Sequence, residues 1–214
     1  MFVLVSALVI AATPAPKNVV ECFLALPDTV PTFDRLSLED REAALKKKST
    51  VIDLKNGYLS FETDWDSQGQ TDQYTVQVAI FQRTDKKFIV GVARDDRFEA
   101  PVGMFELVDG EWTDVTESVL PKLAQSDFWT SKKSPPPLVD SFYSVYRLPQ
   151  LGTTITVTRH PYVKRERHWD DQPDPVIPPE ERAAQDAAEL QASDSVRKVS
   201  LVWNGKKGVF TKRY

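Results

Sequence analysis

Residues 74–93 read YTVQVAIFQRTDKKFIVGVA, and this stretch indicates the fold class. Alternation of apolar and polar residues is typical of a β-strand with a half-buried surface, which β-branched and aromatic side chains suit. The TDKK sequence at 84–87 provides a turn, so the stretch predicts a β-hairpin. Apolar residues occupy every second position on both sides of this turn, at Tyr74, Val76, Val78, Ile80, Phe88, Val90 and Val92.

Further turn signals predict that the chain after residue 50 folds mostly as antiparallel hairpins. Asn56-Gly57, Asp109-Gly110 and Asn204-Gly205 are dipeptides that favour tight turns between strands. The polar residues 64–72 are expected to form a loop. We therefore expect an α+β fold, mainly antiparallel β, arranged as a meander sheet or a flattened barrel. We call the predicted hairpin at 74–93 the central hairpin. The other predicted strands cover 51–54, 58–63, 102–108, 111–115, 142–148, 153–158, 196–203 and 207–212.

One helix is predicted before the first strand. Ser37 is expected to be its N-cap, with Asp40 completing the cap and Lys46, Lys47 and Lys48 complementing the charge of its C-terminal end. A short helix capped by Thr116 is expected over 116–123, and residues 19–26 suit either a helix or a strand. The first helix should span 38–47 and pack Leu38, Ala44 and Leu45 on the sheet.

The first twelve residues, MFVLVSALVIAA, form an uncharged apolar run. The run is shorter than the ~20 residues of a spanning helix, and small residues and proline follow it, which favours a signal peptide over a buried N-terminal strand. We expect residues 1–18 to be a signal peptide and linker and 19–214 to form a single domain. The mature chain is then periplasmic or secreted and has no transmembrane segment.

Composition and cysteine content exclude several classes of partner and site. The net charge is -4 with both signs interspersed, which gives no overall attraction for nucleic acid. Cys22 is the single cysteine, so no intramolecular disulfide can form, and no Cys/His spacing indicates zinc. Because the residues before Cys22 do not suit lipoprotein processing, a buried thiol is favoured over a lipid anchor or an intermolecular disulfide.

A long excursion interrupts the last predicted hairpins, and we call residues 159–195 the insertion. Pro178-Pro179 opens an Ala-rich helix over 180–192, whose apolar side of alanine plus Leu190 predicts little burial. We expect the insertion to be partly helical or flexible and to lie outside the packed body. It opens with basic and aromatic residues that are candidate partner-binding residues, namely Arg159, His160, Tyr162, Lys164, Arg165, Arg167, His168 and Trp169.

Two interpretations of this basic segment stay open. It suits an anionic partner, or it pairs with the acidic residues that follow within the insertion. A metal site at His160 and His168 is not predicted, because their spacing through Pro161 fixes no ligand geometry. The sequence contains no nucleophile elbow, phosphate-binding glycine loop, zinc-protease helix or dinucleotide fingerprint. We predict no catalytic residue, no cofactor and no metal site.

The segment between Phe23 and Asp53 resembles the start of small exported bacterial domains of unknown function, of a type best represented in Bacteroidetes. The resemblance rests on short motifs and implies export and an α+β sheet domain, with no activity to transfer. The matching motifs are Leu26-Pro27, Leu36-Ser37 and Arg41, and two later motifs fit the same general style, Trp112-Thr113-Asp114-Val115-Thr116 and Leu120-Pro121.

These observations favour an exported, non-enzymatic binding or accessory module with a protein, polysaccharide or lipid partner in the cell envelope. Two alternatives belong to other classes. One is a periplasmic hydrolase that uses carboxylates such as Asp64, Asp66 or Asp72. The other is a subunit of a larger assembly that adds a strand to its partner through the edge at 209–212.

Overall fold

The computed structural model describes residues 15–33, 36–67, 70–95, 101–130, 139–163 and 178–214. Residues 1–14 of the predicted signal peptide and linker, and residues 164–177 of the insertion, lie outside this part of the chain. The helices are α1 (Val19–Ala25), α2 (Leu38–Ala44), α3 (Thr116–Val119), α4 (Gln125–Phe128) and α5 (Pro179–Asp194), with a 3-10 turn at Pro31–Phe33. The strands are β1 (Val51–Asp53), β2 (Tyr58–Ser67), β3 (Gln70–Gln82), β4 (Phe88–Asp95), β5 (Val102–Val108), β6 (Glu111–Asp114), β7 (Val139–Arg147), β8 (Thr154–Val163), β9 (Val199–Asn204) and β10 (Val209–Arg213).

The strands form two antiparallel sheets. The first sheet is a meander in which β1 to β6 follow each other in chain order, and the second has the order β10-β9-β8-β7. Neither sheet closes into a barrel. The predicted α+β, mainly antiparallel fold is therefore confirmed, in its meander form.

The central hairpin has the predicted turn. Val78 pairs with Val92 and Gln82 with Phe88, so the strands are joined by residues 83–87. The predicted hairpin at Asp109-Gly110 is also present, and both turn residues have positive φ, 51° and 89°. This conformation is the reason that the Asp-Gly dipeptide favours a tight hairpin, because glycine adopts it without strain.

Both faces of the first sheet are buried, unlike the half-buried surface predicted for the central hairpin. On β3, Val76 and Val78 join a core with α1 and α2, while Ala79 and Phe81 join a second core shared with the second sheet. Strand β4 divides in the same way between the two cores, which explains its continuous apolar run. The molecule therefore has layers of helices, first sheet and second sheet.

The predicted loop at 64–72 is wrong. Strand β2 continues to Ser67 and β3 begins at Gln70, with Asp64 opposite Gln73 and Trp65 opposite Asp72. Polar sequence does not prevent pairing of this kind, since the ladder hydrogen bonds are made by backbone groups.

Helix α2 has the predicted capping box. The Oγ of Ser37 accepts from the Asp40 N–H at 3.2 Å, and the Asp40 carboxylate accepts from the Ser37 N–H at 3.1 Å. Ala44 is buried as predicted, whereas Leu38 is 44% exposed and Arg41 is 2% exposed. The helix ends at Ala44 rather than at residue 47. Residues 19–25 form a helix rather than a strand, and this helix buries Cys22 completely.

Two further predictions need correction. Helix α3 ends at Val119, and Thr116 does not cap it, because its Oγ accepts from the Met104 N–H of β5 at 2.8 Å. The insertion does not lie wholly outside the packed body. Strand β8 continues to Val163, and α5 packs on β8 and β7 with Ala188 and Ala192 buried and Leu190 65% exposed. Alanine suffices here because a small side chain allows close approach of a helix to a sheet.

Candidate partner-binding surface

The structure describes part of the predicted partner-binding segment. Arg159, His160 and Tyr162 belong to β8, opposite Ser144, Tyr143 and Ser141 of β7 respectively. The other predicted residues, Lys164, Arg165, Arg167, His168 and Trp169, lie outside the described residues. The described part of the segment is thus a continuation of the second sheet.

His160 lies on the outer face of this sheet. Its imidazole is exposed and stacks on the ring of Tyr143, with 5.4 Å between the ring centroids. The hydroxyl of Thr158 lies 3.3 Å from His160 Nε2. Tyr143 and His160 are directly opposed in the ladder, the position at which cross-strand pairs interact most closely.

Arg159 lies on the inner face, because successive residues of a strand point to opposite sides. Its guanidinium carbon is 5.0 Å from the ring centroid of Phe128 in α4, and its Nε donates to Ser144 Oγ at 3.3 Å. Phe128 is buried in the core between the sheets. The strand therefore separates Arg159 and His160, which the sequence places side by side.

Helix α4 contains a mostly buried carboxylate beside Phe128. Asp127 is 8% exposed and accepts from the Ala124 N–H and from Lys212 Nζ, each at 2.7 Å, and also from the hydroxyl of Tyr214. The hydrogen bonds from Lys212 and Tyr214 favour the ionised form and lower the Asp127 pKa to about 2. Asp127 is therefore fully ionised at neutral pH and joins α4 to the last strand.

Arg197 contacts the same two residues of α4 through the main chain. Its Nε donates to the Asp127 carbonyl oxygen at 2.8 Å, and its backbone N–H donates to the Phe128 carbonyl oxygen at 2.9 Å. Its guanidinium carbon lies 4.5 Å from the ring centroid of Tyr214. Arg159, Arg197 and Lys212 thus converge on Asp127 and Phe128, and we call these three cations the basic cluster.

Aromatic rings border the basic cluster on the side of β7. Trp129 follows Phe128 and packs edge-on against Phe142, with 5.9 Å between ring centroids. Both side chains are half-buried. The backbone of Trp129 pairs with Val196, one residue before Arg197. The arrangement places guanidinium groups and partly accessible rings together at one end of the second sheet.

Sequence reasoning found Arg159 and missed the rest of the basic cluster. Asp127, Arg197 and Lys212 come from a short helix, a connector and the last strand, and no spacing relates them. The only available signal was the Phe128-Trp129 pair in a stretch interpreted as a connector. The surface exists because tertiary packing joins α4 to both ends of the β9–β10 hairpin.

Other candidate chemistry receives no new support. Among the described residues, no group of three or more His, Cys, Asp or Glu side chains could hold a metal ion. The carboxylates proposed for a hydrolase lie on the β2–β3 hairpin, with Asp66 opposite Thr71 in the ladder. No helix in the described ranges has the length and apolarity needed to cross a membrane.

Comparisons with known proteins extend the fold assignment only. No protein-family model matches the chain, and no curated protein sequence matches it. A domain of an uncharacterised protein from Porphyromonas gingivalis W83 has a similar structure, with a TM-score of 0.51 over 91% of this chain and 96% of that domain. The two sequences are 14% identical, so the similarity concerns the fold alone. An uncharacterised Bacteroidetes domain thus has the same architecture.

Proposed function

We propose that the protein is an exported, non-enzymatic binding module that recognises an anionic polymer of the cell envelope. The partner-facing element is the segment from Arg159 to Trp169, which begins in β8. Export is proposed from the apolar residues 1–12, and the anionic partner from the excess of Lys and Arg over Glu166 in this segment.

One observation carries the proposal. Strand β8 extends past the last residue that β9 pairs with, Val157, and presents an exposed, stacked His160 just before the basic residues. A rigid strand is a precise platform for a recognition segment, because binding then costs less ordering entropy than it would from an unanchored loop.

A matched pair of triple variants tests this function. In the test variant, Lys164, Arg165 and Arg167 are each replaced by Ser. In the control, the three exposed lysines after α2, Lys46, Lys47 and Lys48, are each replaced by Ser, so that both variants lose three positive charges. Binding of immobilised protein is measured against purified oligouronates, neutral oligosaccharides and vesicles with and without an anionic lipid.

The expected result is that the wild-type protein binds an anionic probe and that only the test variant loses this binding. An equal loss of probe binding in both triple variants would show a general effect of charge, and the segment from Arg159 to Trp169 would then have no special role. A wild-type protein that binds none of the anionic probes would overturn the proposed partner class.

Strand addition is the second candidate, because β10 is an outermost strand of the second sheet. A partner strand would bond to the edge of Val209–Arg213 that faces away from β9. Trp203 of β9 bonds to Thr153 on its other side, so the alternating ladder directs the Lys212 N–H, opposite Leu201, to the free edge of β10. Replacing Lys212 with Pro removes this backbone donor, whereas Lys212→Val keeps it, and both variants lose the ion pair with Asp127. The molar mass in solution, measured by light scattering, should reveal self-association in the wild-type protein and in Lys212→Val but not in Lys212→Pro. A monomeric wild-type protein would exclude strand addition between copies.

A further inference from the structure

The guanidinium groups of Arg159 and Arg197 both contact the Asp127–Phe128 step of α4, the first at the Phe128 ring and the second at the Asp127 carbonyl oxygen. The third member of the basic cluster, Lys212, is neutralised by Asp127 at 2.7 Å. The Asp127 carboxylate accepts three hydrogen bonds, none of them from Arg159 or Arg197. Within the described part of the chain, neither Arg159 nor Arg197 forms an ion pair. Two positive charges beside α4 therefore have no ion-pair partner among the described residues.

Each guanidinium group is held by one hydrogen bond from Nε and by one contact of its flat face with an aromatic ring. Arg159 uses Nε to contact Ser144 and rests on the ring of Phe128, while Arg197 uses Nε to contact the Asp127 carbonyl and rests on the ring of Tyr214. Cation–π contacts of this kind position a guanidinium without using its terminal N–H groups. The two terminal nitrogens of each arginine, which bind oxyanions in bidentate geometry, have no partner among the described residues.

From this geometry we infer that Arg159 and Arg197 form a binding site for the carboxylate groups of an acidic polysaccharide, with Trp129 and Phe142 as an adjoining surface for sugar rings. The site deepens the proposed function and rests on it, since it assigns a substrate class to the same end of β8. It differs in its residues, because it needs Arg197 and does not need residues 164–169.

The half-buried rings favour a sugar over a membrane surface. A flat sugar ring can pack its C–H groups on the accessible face of an aromatic ring, because that face carries partial negative charge. Membrane insertion instead needs apolar side chains that protrude, and Trp129 and Phe142 do not, since both are half-buried and pack on each other. An acidic polysaccharide also supplies carboxylates at repeated intervals, which suits two separate guanidinium groups.

The test uses the full chain and a pentamer of galacturonic acid as probe. The double variant Arg159→Gln/Arg197→Gln removes the proposed site. The control double variant Arg147→Gln/Arg213→Gln removes two exposed arginines of the same sheet, of which Arg147 is 65% exposed. Isothermal titration gives the affinity, and NMR of the arginine Nε–H and tryptophan indole resonances reports which groups contact the probe. Circular dichroism melting shows that both variants fold.

The expected result is that the first double variant binds the pentamer about tenfold or more weakly while the control binds as the wild type does, because two charge-assisted contacts are lost. Pentamer-dependent shifts should appear at Arg159, Arg197 and Trp129, weaken with salt, and be absent with neutral galactose pentamer. Equal affinities in the two double variants would overturn the site, and so would binding to phosphate or anionic vesicles without binding to the pentamer.

The same titration separates this inference from the proposed function. If the Lys164/Arg165/Arg167 triple variant loses affinity for the pentamer and Arg159→Gln/Arg197→Gln does not, the segment binds the polymer and the arginine pair does not. If the arginine pair is required and the triple variant binds normally, the inference stands and the partner-facing role of residues 164–169 fails.

Discussion

The indole Nε1 of Trp203 donates a hydrogen bond of 2.7 Å to the main-chain oxygen of Gln82, and this bond joins the second sheet to the first. Beside it, the Thr84 N–H donates to the Gly205 carbonyl oxygen at 3.1 Å. Two hairpin turns that are more than 100 residues apart in sequence, as Trp203 is from Gln82, are thereby fastened together. The ring of Trp203 also packs on Phe81 and Phe210 in the core between the sheets.

Replacing Trp203 with Phe should loosen this connection. The variant loses the hydrogen bond and part of the buried ring, so we expect the free energy of unfolding to fall by about 2 kcal/mol. Trp112→Phe is the matched control, because Trp112 is only partly buried on the edge strand β6, and a change below about 1 kcal/mol is expected there. Urea denaturation measures both values, and equal losses would contradict a special role for Trp203.

Among the polar residues of the α1–α2 helix layer, Arg41 should be the one whose substitution lowers the free energy of unfolding most. Its Nη1 donates to the carbonyl oxygens of Phe23 and Leu26, each at 2.7 Å, and its guanidinium carbon lies 4.9 Å from the ring centroid of Phe33. Arg41→Met leaves both carbonyls unsatisfied, so we expect a loss of about 2–3 kcal/mol in unfolding free energy.

Arg41→Lys should restore only part of the stability that Arg41→Met loses, because an ammonium group cannot reproduce the planar guanidinium that contacts both carbonyl oxygens and Asp28. Arg182→Met, on the exposed side of α5, is the control and should change stability by less than about 0.5 kcal/mol. An Arg41→Met protein as stable as wild type would show that the carbonyls find other donors.

Asp127 should contribute to the acid sensitivity of the fold. Hydrogen bonds from Lys212 and Tyr214 lower its pKa from 3.8 to about 2 in the folded protein. A lowered folded-state pKa means that the carboxylate stabilises the fold fully above its ordinary pKa and that this contribution is lost as the pH falls towards about 2. Asp127→Asn should therefore be less stable than wild type at neutral pH, and the difference should shrink in acid.

The measurement is the urea midpoint of both proteins from neutral pH down to about pH 2, across the shift in the Asp127 pKa. Glu111→Gln, which removes an exposed carboxylate from β6, should follow the wild-type profile. A difference between wild type and Asp127→Asn that stays constant with pH would show that the carboxylate acts through shape alone.

Cys22 should be chemically silent in the folded protein. It is completely buried in α1, and burial, reinforced by the charge of Glu21, raises its pKa to about 12. Since the thiolate is the reactive form, an aromatic disulfide reagent at mildly alkaline pH should label Cys22 only after denaturant is added. Fast labelling of the native protein would show that α1 opens locally from the sheet. This burial confirms the favoured sequence interpretation of Cys22.

The elements that the sequence predicted well are those set by local chemistry. The alternation on either side of the Asp85 turn, the positive-φ turn at Asp109-Gly110 and the Ser37–Asp40 capping box each depend on residues within a few positions of one another. The same information failed for residues 64–72, because pairing of β2 with β3 is decided by backbone bonds that side-chain polarity does not report.

The sequence by itself determined most of the strands, several of their turns and the mainly antiparallel fold class, because period-two alternation and turn dipeptides act over short distances. Only the tertiary structure decided which faces are buried, how the Arg41 guanidinium is hydrogen-bonded, and that Arg159 and Arg197 both contact the Asp127–Phe128 step of α4. The reason is that these contacts join segments separated by tens of residues, whose meeting depends on how the two sheets and the helices pack together.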